Sequence, residues 1–342
     1  MPVYLDTDRS GHSNPGSFTW PRRRPPAQRL EQSGRCIKIG LINNMPHAAF
    51  TATELQFTSI LDSASEGIPV HLSFYSLPGI PRPESGAGNF YSSVEALLGT
   101  SLDGLIVTGK EPITADLKDE PCWKSFTQVV EWARENTYST VWSCLAAHAA
   151  VLHLDGICRH KSSEKNFGLF ECVSASDNLL LEGAPSRFRI PHSRWNGISE
   201  DDLTAHGYSV LTRTASSDVD TFAKEENSLF VFFQGHPEYD SDTLLREYRR
   251  DVGRYLRHES NTYPLVPHSY FDESTENALT GLREQAMSSR NEELFSDVGV
   301  ALENARIKHT WRRTAERIYR NWLQHIGARR IHNQLDGDAN VA

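Results

Sequence analysis

Short apolar runs alternate with stretches of helical spacing through the first half of the chain. Cys36-Ile-Lys-Ile-Gly-Leu-Ile42 stops at the turn signal Asn43-Asn44-Met45-Pro46, and the run predicts a buried strand. Thr51, Glu54, Phe57, Ile60 and Leu61 carry helical spacing. Val70-His-Leu-Ser-Phe-Tyr75 predicts a second strand, followed by a Pro/Gly-rich loop to about Gly88. Val94 to Leu98 suits a short helix, and Asp103-Gly-Leu-Ile-Val-Thr-Gly109 a third strand with a tight turn. Phe126, Val129, Val130 and Trp132 mark a helix over Trp123–Ala133. Thr140-Val-Trp-Ser143 is a fourth strand, and Leu145 to Leu154 reads as a buried helix. Such strand–helix alternation predicts a parallel sheet with helices on both faces.

Beyond Gly156 the spacing changes. Phe167–Val173, Phe188–Pro191 and Tyr208–Leu211 are short segments between polar turns, suited to antiparallel additions to the sheet. Ser228-Leu-Phe-Val-Phe-Phe233 returns to the buried-strand pattern, and residues 241–257 form a charged amphipathic helix. The polar, weakly patterned stretch 270–308 is expected to be a loop or insertion. Ala305 to Ile326 is helical, with Trp311, Ile318, Tyr319 and Trp322 on one stripe, and 329–342 is a polar tail. At the other end, residues 1–35 hold Pro15, Pro21, Pro25, Pro26 and Arg22-Arg23-Arg24 with little apolar periodicity. They are expected to be a disordered tail, unable to offset its ordering entropy by burial. The ordered part is then one domain over about 36–328.

Composition narrows the function classes. The chain has 342 residues, and 35 Lys+Arg against 44 Asp+Glu give a net charge of -9. That balance argues against nonspecific nucleic-acid binding, which relies on a basic face. No apolar run approaches the ~20 residues that span a bilayer, and the first residues lack the apolar core of a secretory signal. Five dispersed cysteines without a Cys-x-x-Cys pair support neither a disulfide scaffold nor a zinc ribbon, so a reducing cytoplasm is expected.

Cys144 falls between a strand and a helix. There the helix N-terminus favours a thiolate, and its free N–H groups can hold an oxyanion. Taken alone, Cys144 fits a buried structural cysteine better. His236 follows the strong strand ending at Phe233, so it emerges at the same carboxyl edge of the sheet. Glu238, two residues on across Pro237, is placed by an extended segment on the same side. It could then accept from one imidazole nitrogen while the other faces the thiol.

Collinear segments over about residues 36–328 carry a resemblance: Ile39-Gly-Leu-Ile-Asn-Asn-Met-Pro46, Glu54-Leu-Gln-Phe57, Phe90-Tyr91, Asp103–Gly109, Trp142-Ser-Cys144, Glu164-Lys165, Pro191-His-Ser-Arg194, Gly235-His-Pro-Glu-Tyr-Asp240, Arg250-Asp251, Trp311-Arg312 and Asn321-Trp322-Leu323. The chain resembles the homoserine O-acyltransferases built on the class I glutamine amidotransferase fold. The resemblance implies a flavodoxin-like three-layer α/β sandwich with a mostly parallel sheet. It implies ping-pong acyl transfer from acyl-CoA to L-homoserine in methionine biosynthesis, with Cys144 as nucleophile, His236 as acid–base and Glu238 orienting it. The backbone N–H of Leu145 would serve the oxyanion, with another from the turn at Gly109 and Lys110. Lys165, Ser193 and Arg250 correspond to substrate-binding positions. A homodimer is implied. Neither a metal nor a resident cofactor is, since acetyl-CoA or succinyl-CoA is a substrate.

The chain also departs from that family. His47-Ala-Ala-Phe-Thr-Ala-Thr53 replaces a shorter link that carries a lysine, and His148 stands where a glutamine is usual. After Thr108-Gly109, relatives have a position that is often Glu in acetyl-CoA users and Gly in succinyl-CoA users. The ungapped register puts Ile113 there, with Glu111 two residues earlier. Ile113 would fill the volume of a succinyl tail and favour acetyl-CoA. A cation such as Lys110 or Lys165 reaching the succinyl carboxylate would favour succinyl-CoA. Transfer to serine or another hydroxy-amino acid, glutamine amidohydrolysis with the same Cys-His-Glu set, and a non-catalytic binding protein are the alternatives.

Overall fold

The computed structural model describes residues 3–5, 36–80, 91–216 and 218–339. Its centre is one sheet of eleven strands. In chain order these are β1 (Val3–Leu5), β2 (Ile37–Ile42), β3 (Val70–Ser76), β4 (Tyr91–Ser93), β5 (Gly104–Val107), β6 (Ser139–Ser143), β7 (His160–Ser174), β8 (Arg187–Gly197), β9 (Ser209–Thr214), β10 (Val219–Glu225) and β11 (Leu229–Phe233). The spatial order is β1-β3-β2-β5-β6-β11-β10-β9-β7-β8, with β4 also on β3. Every pairing from β1 to β11 is parallel, and β10, β9, β7 and β8 add on antiparallel.

The central strands are apolar throughout because both faces are covered. Alternate residues divide between two cores. Ile39, Leu41, Ile106, Val141, Val231 and Phe233 pack beneath α1 (His47–Ala64) and α9 (Arg312–Ala339). Ile42, Leu105, Val107, Trp142, Phe230 and Phe232 pack beneath α2 (Val94–Leu98), α3 (Trp123–Asn136) and α4 (Leu145–Asp155). The result is the three-layer α/β sandwich with a mostly parallel sheet expected from the alternation. A third core, with Tyr248, Tyr270, Phe271 and Trp311 fully buried, joins α6 (Thr243–Leu256) to α7 (Glu273–Ser288) and α8 (Leu294–Glu303). The short α5 (Glu200–Ala205) lies between β8 and β9.

Three expectations need correction. The 270–308 stretch is not a loop: it holds α7 and α8. Leu279, Ala286, Val298 and Leu302 are buried along these helices, and Asp272 caps α7 by accepting from the Ser274 and Thr275 N–H groups. Within 1–35, Val3–Leu5 forms β1, pairing Val3 with Val70; the rest of that segment, with Arg22-Arg23-Arg24, lies outside the described residues. The last helix begins at Arg312, not Ala305, and runs past Ile326 through the expected polar tail to Ala339.

Candidate active site

The parallel strands β2, β5, β6 and β11 all end at one edge of the sheet, and the chemistry collects in the turns that follow. Asn44 ties two of these turns together: its N–H donates to Thr108 Oγ1 at 2.8 Å and its Nδ2 to the Thr108 carbonyl at 2.9 Å. Gly109 comes next. A Cβ there would stand 2.7 Å from the Leu145 nitrogen, so only glycine lets this turn approach the start of α4 so closely.

Cys144 links β6 to α4 with φ 52° and ψ -112°, a left-handed conformation rare for a side-chain-bearing residue. Both sides hold it there. Its N–H donates to the Phe233 carbonyl at 2.7 Å, and its carbonyl accepts from Ala147 and His148 as the helix begins. Leu145, the first residue of α4, has no helical acceptor for its N–H. The Cys144 side chain is half-buried at the positive end of this helix.

His236 lies opposite. Its Nδ1 stands 2.8 Å from Glu238 Oε1, which also accepts from Ser143 Oγ at 3.3 Å. Glu238 therefore sits where the sequence places it, but by a different route. The segment is a tight turn, not extended, with the Tyr239 N–H donating to the His236 carbonyl at 3.2 Å and Pro237 in the second position. The same turn stacks the Tyr239 ring on the imidazole, centroids 4.1 Å apart. Burial alone would lower the His236 pKa. The Glu238 charge and Cys144 outweigh it and hold the imidazole well above its usual value. With Nδ1 committed to Glu238, Nε2 is the nitrogen left for the thiol.

Beneath this turn lies a buried polar unit. Arg194 Nε donates to His192 Nδ1 at 3.2 Å, which puts the ring proton on Nε2, 3.1 Å from Asp220 Oδ1. Asp220 also accepts from Thr212 and Thr221. Cys172, His192 and Asp220 bring ligand-type atoms within 4.8 Å of one another. The guanidinium bonds the outer ring nitrogen and two hydroxyls bond the carboxylate's other oxygen, while His192 Nε2 and Asp220 Oδ1 face each other as an ion pair. A Cβ on Gly235 would meet Ile190 at 2.6 Å and both His192 and Asp220 at 2.9 Å, so the His236 turn rests directly on this unit.

The expected substrate residues converge on one face of α6. Ser193 Oγ donates to Glu247 Oε2 at 2.6 Å, and Tyr239 Oη to Glu247 Oε1 at 2.7 Å. Lys165 Nζ lies 3.7 Å from Asp251 and 4.2 Å from the Phe167 ring centroid, and Arg250 Nε donates to Asp251 at 2.8 Å. Tyr239 appears in the sequence only as part of the Gly235–Asp240 motif, with no role assigned, and Glu247 escapes notice. The signal for Glu247 is position, since it is one turn before Arg250–Asp251 and so on their face of the helix.

Glu111 and Ile113, the expected acyl-donor positions, both face solvent in this structure. Glu111 is exposed, 3.9 Å from Arg254, and Ile113 is 74% exposed. The cause is buried Glu120, which accepts from the N–H groups of Ile113 and Thr114 at 2.7 and 2.9 Å, from Thr114 Oγ1 at 2.8 Å and from Lys110. Burial raises the Glu120 pKa, but these partners outweigh it and bring it down to about 2. With its N–H drawn inward, Ile113 turns its side chain to solvent. Ile113→Gly is accordingly expected to change the ratio of kcat/KM for succinyl-CoA over acetyl-CoA by less than about threefold, because an exposed side chain displaces no substrate volume. A tenfold gain in succinyl-CoA use, measured by CoA release, would return Ile113 to the pocket.

The profile of the family described as homoserine O-succinyltransferase matches residues 25–332. A homoserine O-succinyltransferase of Rhodopseudomonas palustris is 44% identical over 85% of this chain and 88% of its own. One from Methylorubrum extorquens is 40% identical over 96% of both chains. Among solved structures, a glutamine amidotransferase from Thermotoga maritima aligns over 85% of this chain and 98% of its own, at 12% identity and a TM-score of 0.48.

Proposed function

The chain belongs to the homoserine O-succinyltransferase family, and from that premise we propose that it transfers a succinyl group from succinyl-CoA to the γ-hydroxyl of L-homoserine, for methionine biosynthesis, through an acyl-enzyme on Cys144. The observation that carries this proposal is the His236 imidazole, held by Glu238 and turned toward a cysteine at the N-terminus of α4.

In the first half-reaction the Cys144 thiol gives its proton to His236, and the sulfur attacks the thioester carbonyl. The developing oxyanion takes the Leu145 N–H, close to the Gly109 turn. The carbon–sulfur bond to CoA breaks, and the CoA thiol leaves with the proton from His236. In the second, the homoserine hydroxyl gives its proton to His236 and attacks the acyl-enzyme carbonyl. The bond to Cys144 breaks, and the sulfur regains the proton as the ester departs. Glu238 keeps the imidazole aligned through both halves. Ser193, Lys165 and Arg250 receive the amino-acid acceptor, the guanidinium suiting its carboxylate. The cycle uses no metal or resident cofactor, and a homodimer belongs to the same proposal. No helix among the described residues is long and apolar enough to cross a membrane.

The test is CoA release with succinyl-CoA or acetyl-CoA against L-homoserine, L-serine and L-glutamine, with products identified by mass. Succinyl-CoA with homoserine should give the highest kcat/KM and O-succinylhomoserine as product. Turnover with serine but not homoserine, or hydrolysis of glutamine, would replace the proposal.

A further inference from the structure

Four of the cations grouped around this site are already engaged. Lys110 is paired with Glu120, and Lys165 and Arg250 share Asp251. Arg194 is buried and donates to His192 and to the Asn196 carbonyl at 2.7 Å. Arg159 differs. It follows α4, where the left-handed cap Gly156 turns the chain and the Ile157 N–H returns to the Val151 carbonyl. Its half-buried side chain has no carboxylate within ion-pair distance among the described residues. Its one described hydrogen bond is long, 3.4 Å from Nη2 to the Ala115 carbonyl. Ala115 belongs to the loop that Glu120 organises beside Gly109 and Leu145. That bond sets the guanidinium against the loop that runs from the Gly109 turn to Glu120.

His148 itself is no competitor for an anion. Gln234 spends its amide nitrogen on the Val219 carbonyl at 2.6 Å, so its oxygen accepts from His148 Nε2 at 3.0 Å. Burial, against that hydrogen bond, brings the His148 pKa down to about 3, so the ring is neutral.

We propose that Arg159 is the donor-specificity residue, its guanidinium receiving the free carboxylate of the succinyl group carried on Cys144. This rests on the acyl transfer proposed above. The succinyl chain sets its carboxylate two methylenes from the thioester carbon, and the carbonyl oxygen is directed to Leu145. The remaining length of the chain then reaches toward the loop at Ala115, where Arg159 stands without an ion-pair partner among the described residues. A planar fork with unused N–H donors matches a carboxylate in shape as well as charge. An acetyl group has nothing to offer it.

The test compares wild type, Arg159→Met and Arg159→Lys by the rate at which succinyl-CoA and acetyl-CoA, without acceptor, acylate the enzyme. Intact mass reports the adduct, and circular dichroism checks the fold. Arg159→Met should lower the succinyl-to-acetyl rate ratio by about 10- to 100-fold, the scale of a lost charge-assisted hydrogen bond. Arg159→Lys should restore part of it. Equal losses on both donors would mean that Arg159 serves the thiol or the fold and would overturn the proposal, as would an unchanged ratio. A wild-type enzyme acylated by neither donor would instead remove the acyl-transfer proposal itself, an outcome distinct from either.

Discussion

Cys144→Ala should form no acyl adduct with succinyl-CoA and lose about 10⁴- to 10⁶-fold in kcat, the scale seen when a covalent nucleophile is removed. The other cysteines are poor substitutes. Cys172 is fully buried, and desolvation with the Asp220 charge pushes its thiol far up; Cys122 is raised by burial as well. Cys36 is buried, and Cys158 is exposed but belongs to no helix start. Alanine keeps the backbone of residue 144 in the same left-handed conformation, held by the Phe233 carbonyl and the first turn of α4, so lost chemistry and not a collapsed elbow is what the variant reports. Peptide mapping after incubation with succinyl-CoA alone should find the acyl group on Cys144. Finding it on another cysteine, or full turnover by the alanine variant, would dismiss Cys144 as nucleophile.

The second large effect belongs to His236 and Glu238 as one unit. His236→Ala should cost about 10³-fold or more in kcat, Glu238→Gln less, and the pair little beyond His236→Ala alone. Glu238→Gln removes the charge that lifts the imidazole, while burial continues to push it down. The acid limb of the kcat/KM profile assigned to His236 should therefore move to lower pH in Glu238→Gln. Additive losses in the double variant, or an unmoved profile, would separate Glu238 from the histidine.

Much of this centre was legible from the chain because local pattern and topology agree. Each parallel strand is a short apolar run ending in a turn, so Asn44, Gly109, Cys144 and His236 had to reach one edge. What was missed depended on contacts that no periodicity announces. Ile113 read as a pocket residue from its register, whereas its orientation is set by a carboxylate seven residues later. Tyr239, within a quoted motif, and Glu247 gain a role only when a turn stacks one on His236 and a helix brings the other to Ser193. The helices α7 and α8 looked like loop because their buried side chains are sparse. Yet they complete the third core, which supports α6 and with it Glu247, Arg250 and Asp251.

The turn that carries His236 also guards the sheet against other chains. β8 is an outermost strand, and where Leu169 faces Pro191 the two backbones point away from each other: the Leu169 N–H goes to the His268 carbonyl, and the Pro191 carbonyl to the His236 N–H at 2.8 Å. Pro191 has no N–H to offer there, and the turn already holds its carbonyl, so the middle of this edge presents nothing for a foreign strand to join. At the far side, the outer edge of β3 is shared between β1 and β4, three residues each, too short to act as a template. A substitution that lifted the His236 turn off β8 would therefore do more than silence a base. It would uncover a sticky border, and the loss would be felt in solubility as well as in rate.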